Sequence, residues 1–416
     1  MKIYTYPAQP NERGGEQPIP PLAPGVSSVR FGKEVLLYSD DPQEEQPIAT
    51  ASRGVRMPRR HEEVARDRMH IVVQNGRLFQ QYHPDVPVIH DRGRFLLVDI
   101  DQGQARKLAE KNETCFGIFP LEDNQVVFDS PTRVAPPAPV EFIQNLVDKV
   151  SRANIESNLT KLVSFPTRYS SSGGYGAAAT FARKQLKDLN YQTRLQVVAV
   201  GAGKSRNIIA DKPGEGSGTR HVVITSAHLD SINLEGGPSA LAPGADDNAS
   251  GSAGLLEIAL VFRDHRSKHD LRLILFGGEE QGLYGSKRYV ASLSQSERKR
   301  IRAVVNMDMI GSLNSASRSV LLEGAPLSQT VIDGLAQAAA TYTRLPVETS
   351  LNPFASDHVP FINAQIPAVL TIEGADNANN SVHSANDTLN KIDFEIAQEI
   401  LSMNIGFIAS EIGSMS

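Results

Sequence analysis

Residues 271–286, LRLILFGGEEQGLYGS, contain an apolar run that ends in two glycines, two adjacent glutamates and a second glycine-rich turn. Apolar residues in such a run are typical of a buried strand, and the glycines indicate a tight turn where the strand ends. In open α/β sheets, ligands bind at such strand ends. Glu279 and Glu280 are therefore candidates for a functional site rather than ordinary surface carboxylates.

Four further segments each place a residue type that binds metals close to a predicted turn or strand end. They are His228 in VVITSAHLDS, Asp247 in APGADDNASG, Asp308 in AVVNMDMIGS and His383 in NSVHSANDT. Imidazoles and carboxylates are zinc ligands, and a pair of zinc ions also needs a bridging carboxylate and a free carboxylate that accepts a proton. Because successive strand residues point to opposite sides, Glu280 can face a metal while Glu279 faces the substrate. The pattern predicts a two-metal hydrolase.

Six blocks of the sequence resemble those of a known family, the cocatalytic dizinc aminopeptidases, and come in the same order. They are SAHLDS, APGADDNASG, GGEEQGLYGS, NMDMIG, SDHVPF and VHSANDT. This family, similar to bacterial leucyl aminopeptidases, has glutamate carboxypeptidases and glutaminyl cyclases among its relatives. The resemblance also includes SFPTRYSSSGGYGAAATFARKQLKDLNY and covers about residues 140–415. It implies an aminopeptidase with two zinc ions per chain that acts on peptides with a free amino terminus.

The resemblance assigns a role to each matching residue. It makes His228 and Asp308 ligands of one zinc ion, Glu280 and His383 ligands of the other, Asp247 the bridge and Glu279 the general base. Asp230 matches the carboxylate that orients His228 without binding zinc itself, and Asp387 is expected to support His383 in the same way. Spacing alone does not separate Asp247 from its neighbour Asp246, and only the family pattern favours Asp247.

Other residues near these motifs have less specific signals. His358 in SDHVPF is interpreted as a structural residue of the loop rather than a sixth ligand. Some family members carry a tyrosine in the loop before this motif, where the chain has Pro353 and Phe354, and neither side chain can donate a hydrogen bond. Stabilisation of the oxyanion is then left to zinc or to another donor such as Tyr284.

Substrate preference is predicted from two apolar residues that adjoin ligands, Met309 after Asp308 and Val382 before His383. Similar positions line the pocket for the first side chain in related leucine-preferring enzymes, so an apolar first residue is expected. A carboxypeptidase or dipeptidase and a glutaminyl cyclase on the same fold remain alternatives, and a non-catalytic binding module would not need the full ligand set. The phosphate-loop, G-x-S-x-G and H-E-x-x-H patterns of other enzyme classes are not matched.

The second half of the chain alternates apolar runs with amphipathic stretches, which predicts an open, mixed and mainly parallel α/β sheet with helices on both faces. We expect a catalytic domain at 141–416, a Pro-rich linker at 131–140, a small α+β domain at 28–130 and a flexible arm at 1–27. Within the small domain, residues 69–83 predict a hairpin around Asn75, and residues 94–129 predict strand, helix, strand and strand. This domain is interpreted as a prodomain or as an accessory domain for dimerisation or stability.

Composition excludes several classes of partner. A net charge of −5 with interspersed signs provides no basic track for nucleic acid, and no apolar run is long enough to span a membrane. A single cysteine excludes an intrachain disulfide. The start MKIYTYPAQPNERG lacks the apolar core of a signal peptide and predicts a cytoplasmic protein, although many relatives are secreted. The oligomeric state is not indicated.

Overall fold

The computed structural model describes residues 2–7, 25–39, 59–61, 64–110, 116–130 and 136–415. The chain divides into two compact units, Met1–Val134 with Glu348–Phe354 and Ala135–Val347 with Ala355–Ser416. Most of the expected arm and half of the expected Pro-rich linker lie outside the described residues, as does Cys115.

The first unit contains two β-sheets and two helices in its described part. Its strands are β1 (Lys2–Pro7), β2 (Val26–Phe31), β3 (Glu34–Ser39), β4 (Arg59–His61), β5 (Met69–Gln74), β6 (Val88–Arg92), β7 (Phe95–Asp99), β8 (Phe116–Pro120) and β9 (Gln125–Phe128). They form one sheet in the order β4-β1-β3-β2-β9 and another in the order β6-β7-β5-β8. Helices α1 (Leu78–Tyr82) and α2 (Gln102–Glu110) contribute Phe79, Ala105 and Leu108 to an apolar core with the second sheet.

Two expectations for this unit are corrected and one is confirmed. The order strand, helix, strand, strand over residues 94–129 is confirmed by β7, α2, β8 and β9. The predicted hairpin around Asn75 is wrong. Phe79 packs in the core, and its N–H donates to the side-chain oxygen of Gln74, so α1 begins here instead of a second strand. The arm at 1–27 is wrong for Lys2–Pro7, which pairs with β3 on one side and β4 on the other.

The second unit is built on one large sheet. Its strands are β10 (Gln192–Val200), β11 (Gly203–Lys212), β12 (Val222–His228), β13 (Asp270–Phe276), β14 (Ile301–Met307), β15 (Val320–Glu323) and β17 (Ala368–Glu373). Strand β16 (Val347–Ser350) belongs to the first unit apart from Val347. Within the second unit the order is β10-β11-β13-β12-β14-β17-β15. The central strands β13, β12, β14 and β17 are parallel, whereas β10, β11 and β15 are antiparallel to their neighbours. The predicted mixed sheet is confirmed.

Helices cover both faces of this sheet. They are α3 (Glu141–Val147), α4 (Arg152–Val163), α5 (Gly173–Asp188), α6 (Gly251–Phe262), α7 (Tyr284–Ser292), α8 (Gln295–Arg300), α9 (Gln329–Tyr342), α10 (His358–Asn363) and α11 (Phe394–Ile412). Along β13, Leu273 and Leu275 join a core with α6, α9 and α11, whereas Ile274 and Phe276 join a second core with α7 and α10. This alternation follows from the two-residue period of a strand. None of the described helices is long and apolar enough to cross a membrane.

The parallel strands bring the functional candidates to one edge of the sheet. His228 is the last residue of β12, Glu279 follows β13 by three residues, and Asp308 comes directly after β14. Parallel strands have their carboxyl ends at the same edge, where open α/β sheets bind their ligands. The fold therefore gathers residues that are as much as 80 positions apart in the chain.

Candidate metal centre

The first group of potential ligands contains His228, Asp247 and Asp308. Nε2 of His228 lies 3.1 Å from Oδ1 of Asp308 and 3.2 Å from Oδ1 of Asp247. All three residues are buried. Burial lowers the pKa of His228, but the neighbouring Asp308 and other carboxylates more than offset this effect, so the pKa lies well above its usual value. A buried imidazole between carboxylates is also the donor set of a zinc site.

The second group contains Asp247, Glu280 and His383. Nε2 of His383 lies 3.0 Å from Oε2 of Glu280 and 3.1 Å from Oδ2 of Asp247. The two oxygens of Asp247 thus face two different imidazoles, one in each group. A carboxylate in this position has the geometry to bridge two cations.

The surroundings of Glu280 fit a metal ligand. Its Oε1 atom is buried and has no hydrogen-bond partner among the described residues. Burial, and then the charge of Asp247, raise the pKa of Glu280 to about 7. A bound cation would both satisfy the free oxygen and favour the ionised form of the carboxyl group. The donor types are nitrogen and oxygen, which suit zinc.

The loop that carries Asp247 depends on a glycine. Gly244 has a φ of +51°, and a Cβ atom there would lie 2.3 Å from the carbonyl oxygen of Asp247 and 2.5 Å from Cβ of Ser231. No residue with a side chain fits without moving the backbone. Residues 245–250 then form a single turn before α6, which places Asp247 beside both histidines.

The structure distinguishes Asp247 from Asp246, which the spacing alone does not. The carboxylate of Asp246 accepts hydrogen bonds from the N–H of Gly311 at 2.9 Å and from Nδ2 of Asn379 at 2.8 Å. These bonds hold its two oxygens away from either ligand group. Asp246 therefore supports the surrounding loops, and Asp247 is the residue that both groups share.

Asp230 has a different main contact from the one expected. Nδ1 of His228 is closer to the backbone oxygen of Asp230, at 3.2 Å, than to its carboxylate, at 3.8 Å. The carboxylate instead accepts the backbone N–H groups of Glu279, at 3.4 Å, and Glu280, at 3.3 Å. Asp230 thus fixes the turn after β13 with its side chain and orients His228 with its backbone.

The support of His383 by Asp387 stays a prediction, and the hydrogen bonds that Asp387 makes in the structure lie in another loop. The carboxylate of Asp387 accepts the backbone N–H of Asp246 at 2.9 Å and of Asp247 at 3.0 Å. Burial is the main reason why the pKa of Asp387 is raised to about 8. Asp387 holds the loop of the shared carboxylate, because two N–H groups at the start of that loop need an acceptor.

Glu279 lies beside the two ligand groups without belonging to either. Its side chain is buried, and desolvation followed by the charges of Asp308 and Asp357 holds the pKa of this carboxyl group well above its usual value. Cations in the neighbouring groups would lower that pKa. The position is that of a carboxylate that can exchange a proton without binding a metal.

The remaining candidates lie outside the two groups. His358 begins α10 and has Nε2 at 3.5 Å from Oε1 of the buried Glu323, which agrees with a structural role. Met309 is 6% exposed and Val382 is half-buried. Tyr284 is 39% exposed at the start of α7. Phe354 belongs to the first unit.

Three residues that support the ligands or their loops were missed in the sequence. Ser356 donates to Oδ2 of Asp308 at 2.6 Å, and Asn306 donates to Ser356 at 2.9 Å. Arg168 is fully buried and donates to four backbone carbonyls around the loops of His228 and Asp247. Ser356 stands in the quoted SDHVPF block and could have been found there, whereas an arginine in SFPTRYS has no signal for burial.

An open mixed α/β sheet with shared carboxylate and imidazole groups at its carboxyl edge defines a metallohydrolase. Residues 207–408 match the model of peptidase family M28. A probable leucine aminopeptidase of Trichophyton verrucosum (strain HKI 0517) is 29% identical over 287 residues, which are 66% of this chain and 77% of that protein.

Solved structures share the fold. The LapA aminopeptidase of Legionella pneumophila has a TM-score of 0.60 and 18% identity, and the match covers 84% of this chain and 99% of that chain. BSAP, a zinc aminopeptidase from Bacillus subtilis, has a TM-score of 0.57 and 17% identity over 64% of this chain and 96% of that chain. The share of this chain that the second match covers is close to the share that the second unit makes up.

Proposed function

We propose that this chain is a zinc-dependent aminopeptidase that uses two zinc ions to remove an apolar residue from the free amino terminus of a peptide. One observation carries the proposal. The two carboxylate oxygens of Asp247 lie 3.2 Å and 3.1 Å from the Nε2 atoms of His228 and His383. A single carboxylate between two sets of nitrogen and oxygen donors is the arrangement that a bridged pair of metal ions requires.

The residues at the centre divide into two ligand sets. His228, Asp247 and Asp308 would hold one zinc ion, and Asp247, Glu280 and His383 would hold the other. When bound, zinc supplies a Lewis acid that activates a water molecule and polarises the carbonyl group of the substrate. The hydrogen bond from Ser356 to Oδ2 of Asp308 leaves Oδ1 directed at His228 and its metal position.

Glu279 has the position of the general base. It takes a proton from the water whose oxygen attacks the peptide carbonyl carbon, and it returns that proton to the nitrogen that leaves. A C–O bond forms and the C–N bond breaks, so one peptide becomes an amino acid and a shortened peptide. Asp230 keeps the turn of Glu279 in place through the backbone bond at 3.4 Å.

The substrate would bind with its free amino terminus beside the metal positions. Asp247, Glu280 and Asp308 would offset most of the charge of two zinc ions, which reduces the repulsion of a nearby amino group. Met309 and Val382 adjoin two of the ligands and favour an uncharged side chain on the first residue. Each extra buried methylene contributes only about 0.8 kcal/mol, so preference for Leu over Ala is expected to be roughly tens to hundreds of fold.

The test combines metal analysis with a panel of substrates. We expect two zinc ions per chain, and the highest kcat/KM on Leu-p-nitroanilide among the Leu, Ala, Lys and Glu compounds. Amino-terminally acetylated Leu-p-nitroanilide should resist cleavage, because it has no ammonium group. Rapid cleavage of the acetylated compound would contradict an aminopeptidase. One zinc ion per chain with cyclisation of an amino-terminal glutamine would identify a glutaminyl cyclase, and release of carboxyl-terminal residues a carboxypeptidase.

A further inference from the structure

Arg168 has an unusual environment for a charged side chain. It lies between α4 and α5 and has no exposed surface. Nε donates to the carbonyl oxygen of Leu229 at 2.8 Å, and Nη2 donates to that of Gly244 at 2.8 Å. Nη1 donates to the carbonyls of Pro243, at 2.5 Å, and Leu162, at 3.3 Å. These acceptors are backbone carbonyls, whereas a buried arginine usually pairs with a carboxylate.

The carbonyls that Arg168 binds are next to two proposed zinc ligands. Leu229 follows His228 directly, and Gly244 precedes Asp247 by three residues. The guanidinium group therefore connects the two ends of the segment 229–244, which runs from one ligand to the other. These ends cannot separate or slide without breaking bonds in a buried place, where an unpaired carbonyl is costly.

Ser231 adds a second connection at the same place. Its N–H donates to the backbone oxygen of Arg168 at 3.3 Å, and its Oγ accepts the N–H of Arg168 at 3.2 Å. The same Oγ donates to the carbonyl of Ala242 at 2.8 Å. The backbone of Arg168 is thus fixed to one end of the segment, Ser231 connects that end to the other, and the side chain of Arg168 starts from a defined position.

The charge of Arg168 acts on the centre from a distance. Burial lowers its pKa to about 10, while Asp387, Asp230 and then Asp247 oppose this effect. The guanidinium remains charged at neutral pH and offsets part of the repulsion among the clustered carboxylates. The same charge would repel bound zinc, so a favourable effect of Arg168 on metal binding would come from its hydrogen bonds, which fix the ligands before the metal arrives.

We propose that Arg168 is a positioning residue of the metal centre, which sets the spacing between His228 and Asp247 by bonding both ends of the segment 229–244. Asp247 belongs to both ligand groups, so loss of the connection weakens both metal positions together. The inference rests on the proposed zinc centre but concerns a residue that touches neither metal nor substrate.

The experiment compares Arg168→Met and Arg168→Lys with Arg272→Met as the matched control. Arg272 is a mainly buried arginine of β13 that bonds Asp211 and Tyr289 away from the centre. Both zinc dissociation constants are measured by competition with a chromogenic chelator, and thermal unfolding of the metal-free proteins reports stability. Arg168→Met should weaken both zinc positions by about tenfold or more. Arg168→Lys should fall between wild type and Arg168→Met, because an ammonium keeps the charge but reaches fewer carbonyls.

The control separates positioning from general stability. Arg272→Met should unfold at a lower temperature than wild type with unchanged zinc affinities. Wild-type zinc affinities in folded Arg168→Met, or in Arg168→Lys where the Met variant does not fold, would overturn the inference. Weakening of one zinc position alone would overturn it too. If wild type itself bound no zinc, the proposed metal centre would fail instead.

Discussion

Glu279 and Glu280 are adjacent in the chain, yet their side chains have different surroundings. The carboxylate of Asp230 accepts both of their backbone N–H groups, so the turn is held at both residues. Beyond that turn, Oε2 of Glu280 contacts His383, and Glu279 lies outside both ligand groups. The turn after β13 thus provides a ligand and a base from two adjacent residues.

This difference leads to the first prediction. Glu279→Gln should keep both zinc ions and the thermal stability of the folded protein, because Glu279 holds neither metal. Turnover of Leu-p-nitroanilide should fall by at least about a hundredfold, since an amide cannot take the proton of water. Zinc content and kcat are measured on the same preparation. Wild-type turnover in a variant with full zinc content would disprove the role of Glu279.

The second prediction concerns the shared carboxylate. His228→Ala should weaken one zinc position and His383→Ala the other, whereas Asp247→Ala should weaken both, as seen by chelator competition. Asp246→Ala is the neighbouring control. Its carboxylate bonds Gly311 and Asn379, so its loss should lower stability more than zinc affinity. The assignment fails if Asp246→Ala, and not Asp247→Ala, removes both zinc ions.

At the same scale, the sequence predicts residue types better than contacts. Most residues in the two ligand groups could be chosen because few side chains bind zinc and each stands close to a predicted turn or strand end, whereas the choice of Asp247 over Asp246 comes from the family resemblance. Which carboxylate supports which ligand depends on the path of the loops. The sequence places Asp230 and Asp387 behind a histidine but does not show that both carboxylates also accept backbone N–H groups of neighbouring loops.

At the scale of elements, the pattern of apolar residues predicts the strands and helices of the second unit well. In β13, the two-residue alternation divides side chains between two cores, and both faces are covered by helices as expected. The secondary structure of short segments is harder to predict from the sequence. The turn at Asn75 could begin a strand or a helix, and only the burial of Phe79 against the second sheet of the first unit decides for α1.

The loop before α6 gives the third prediction. Asp387→Asn replaces one acceptor oxygen with an amide that cannot accept, so one backbone N–H of Asp246 or Asp247 loses its partner. Because the loop carries the shared carboxylate, both zinc affinities should fall by about tenfold. If Asp387 acted only through His383, only one zinc position would change, which chelator competition would show directly.

At the scale of the whole molecule, the structure divides the chain into two compact units. Compositional change places a boundary in the Pro-rich stretch before residue 141. The structure also counts Glu348–Phe354 with the first unit, although these residues come late in the chain. Asp129 pairs with Thr349 through two backbone hydrogen bonds in that unit. Such a long-range pairing has no local pattern and could not be predicted.

The clustered carboxyl groups also make the stability of the metal-free protein depend on pH, which is the fourth prediction. Burial raises the pKa of Glu280 and Asp357 to about 7 and that of Asp387 to about 8. The folded state therefore binds more protons than the unfolded state between about pH 4 and 8, so stability falls as pH rises through this window. The raised pKa of His228 acts in the same direction, and the lowered pKa of Asp247 matters only below this window.

Urea unfolding at pH 5, 6.5 and 8, with a chelator or with zinc, measures this dependence. Each unit of pKa shift that falls between pH 5 and 8 corresponds to about 1.4 kcal/mol, so the three groups together should cost the metal-free protein up to roughly 10 kcal/mol over this range. Zinc should reverse the trend, because it binds ionised carboxylates and neutral imidazoles and takes the place of the protons. A midpoint of unfolding that stays constant with pH in the chelator would show that the carboxyl groups of the centre are not held protonated in the folded, metal-free state.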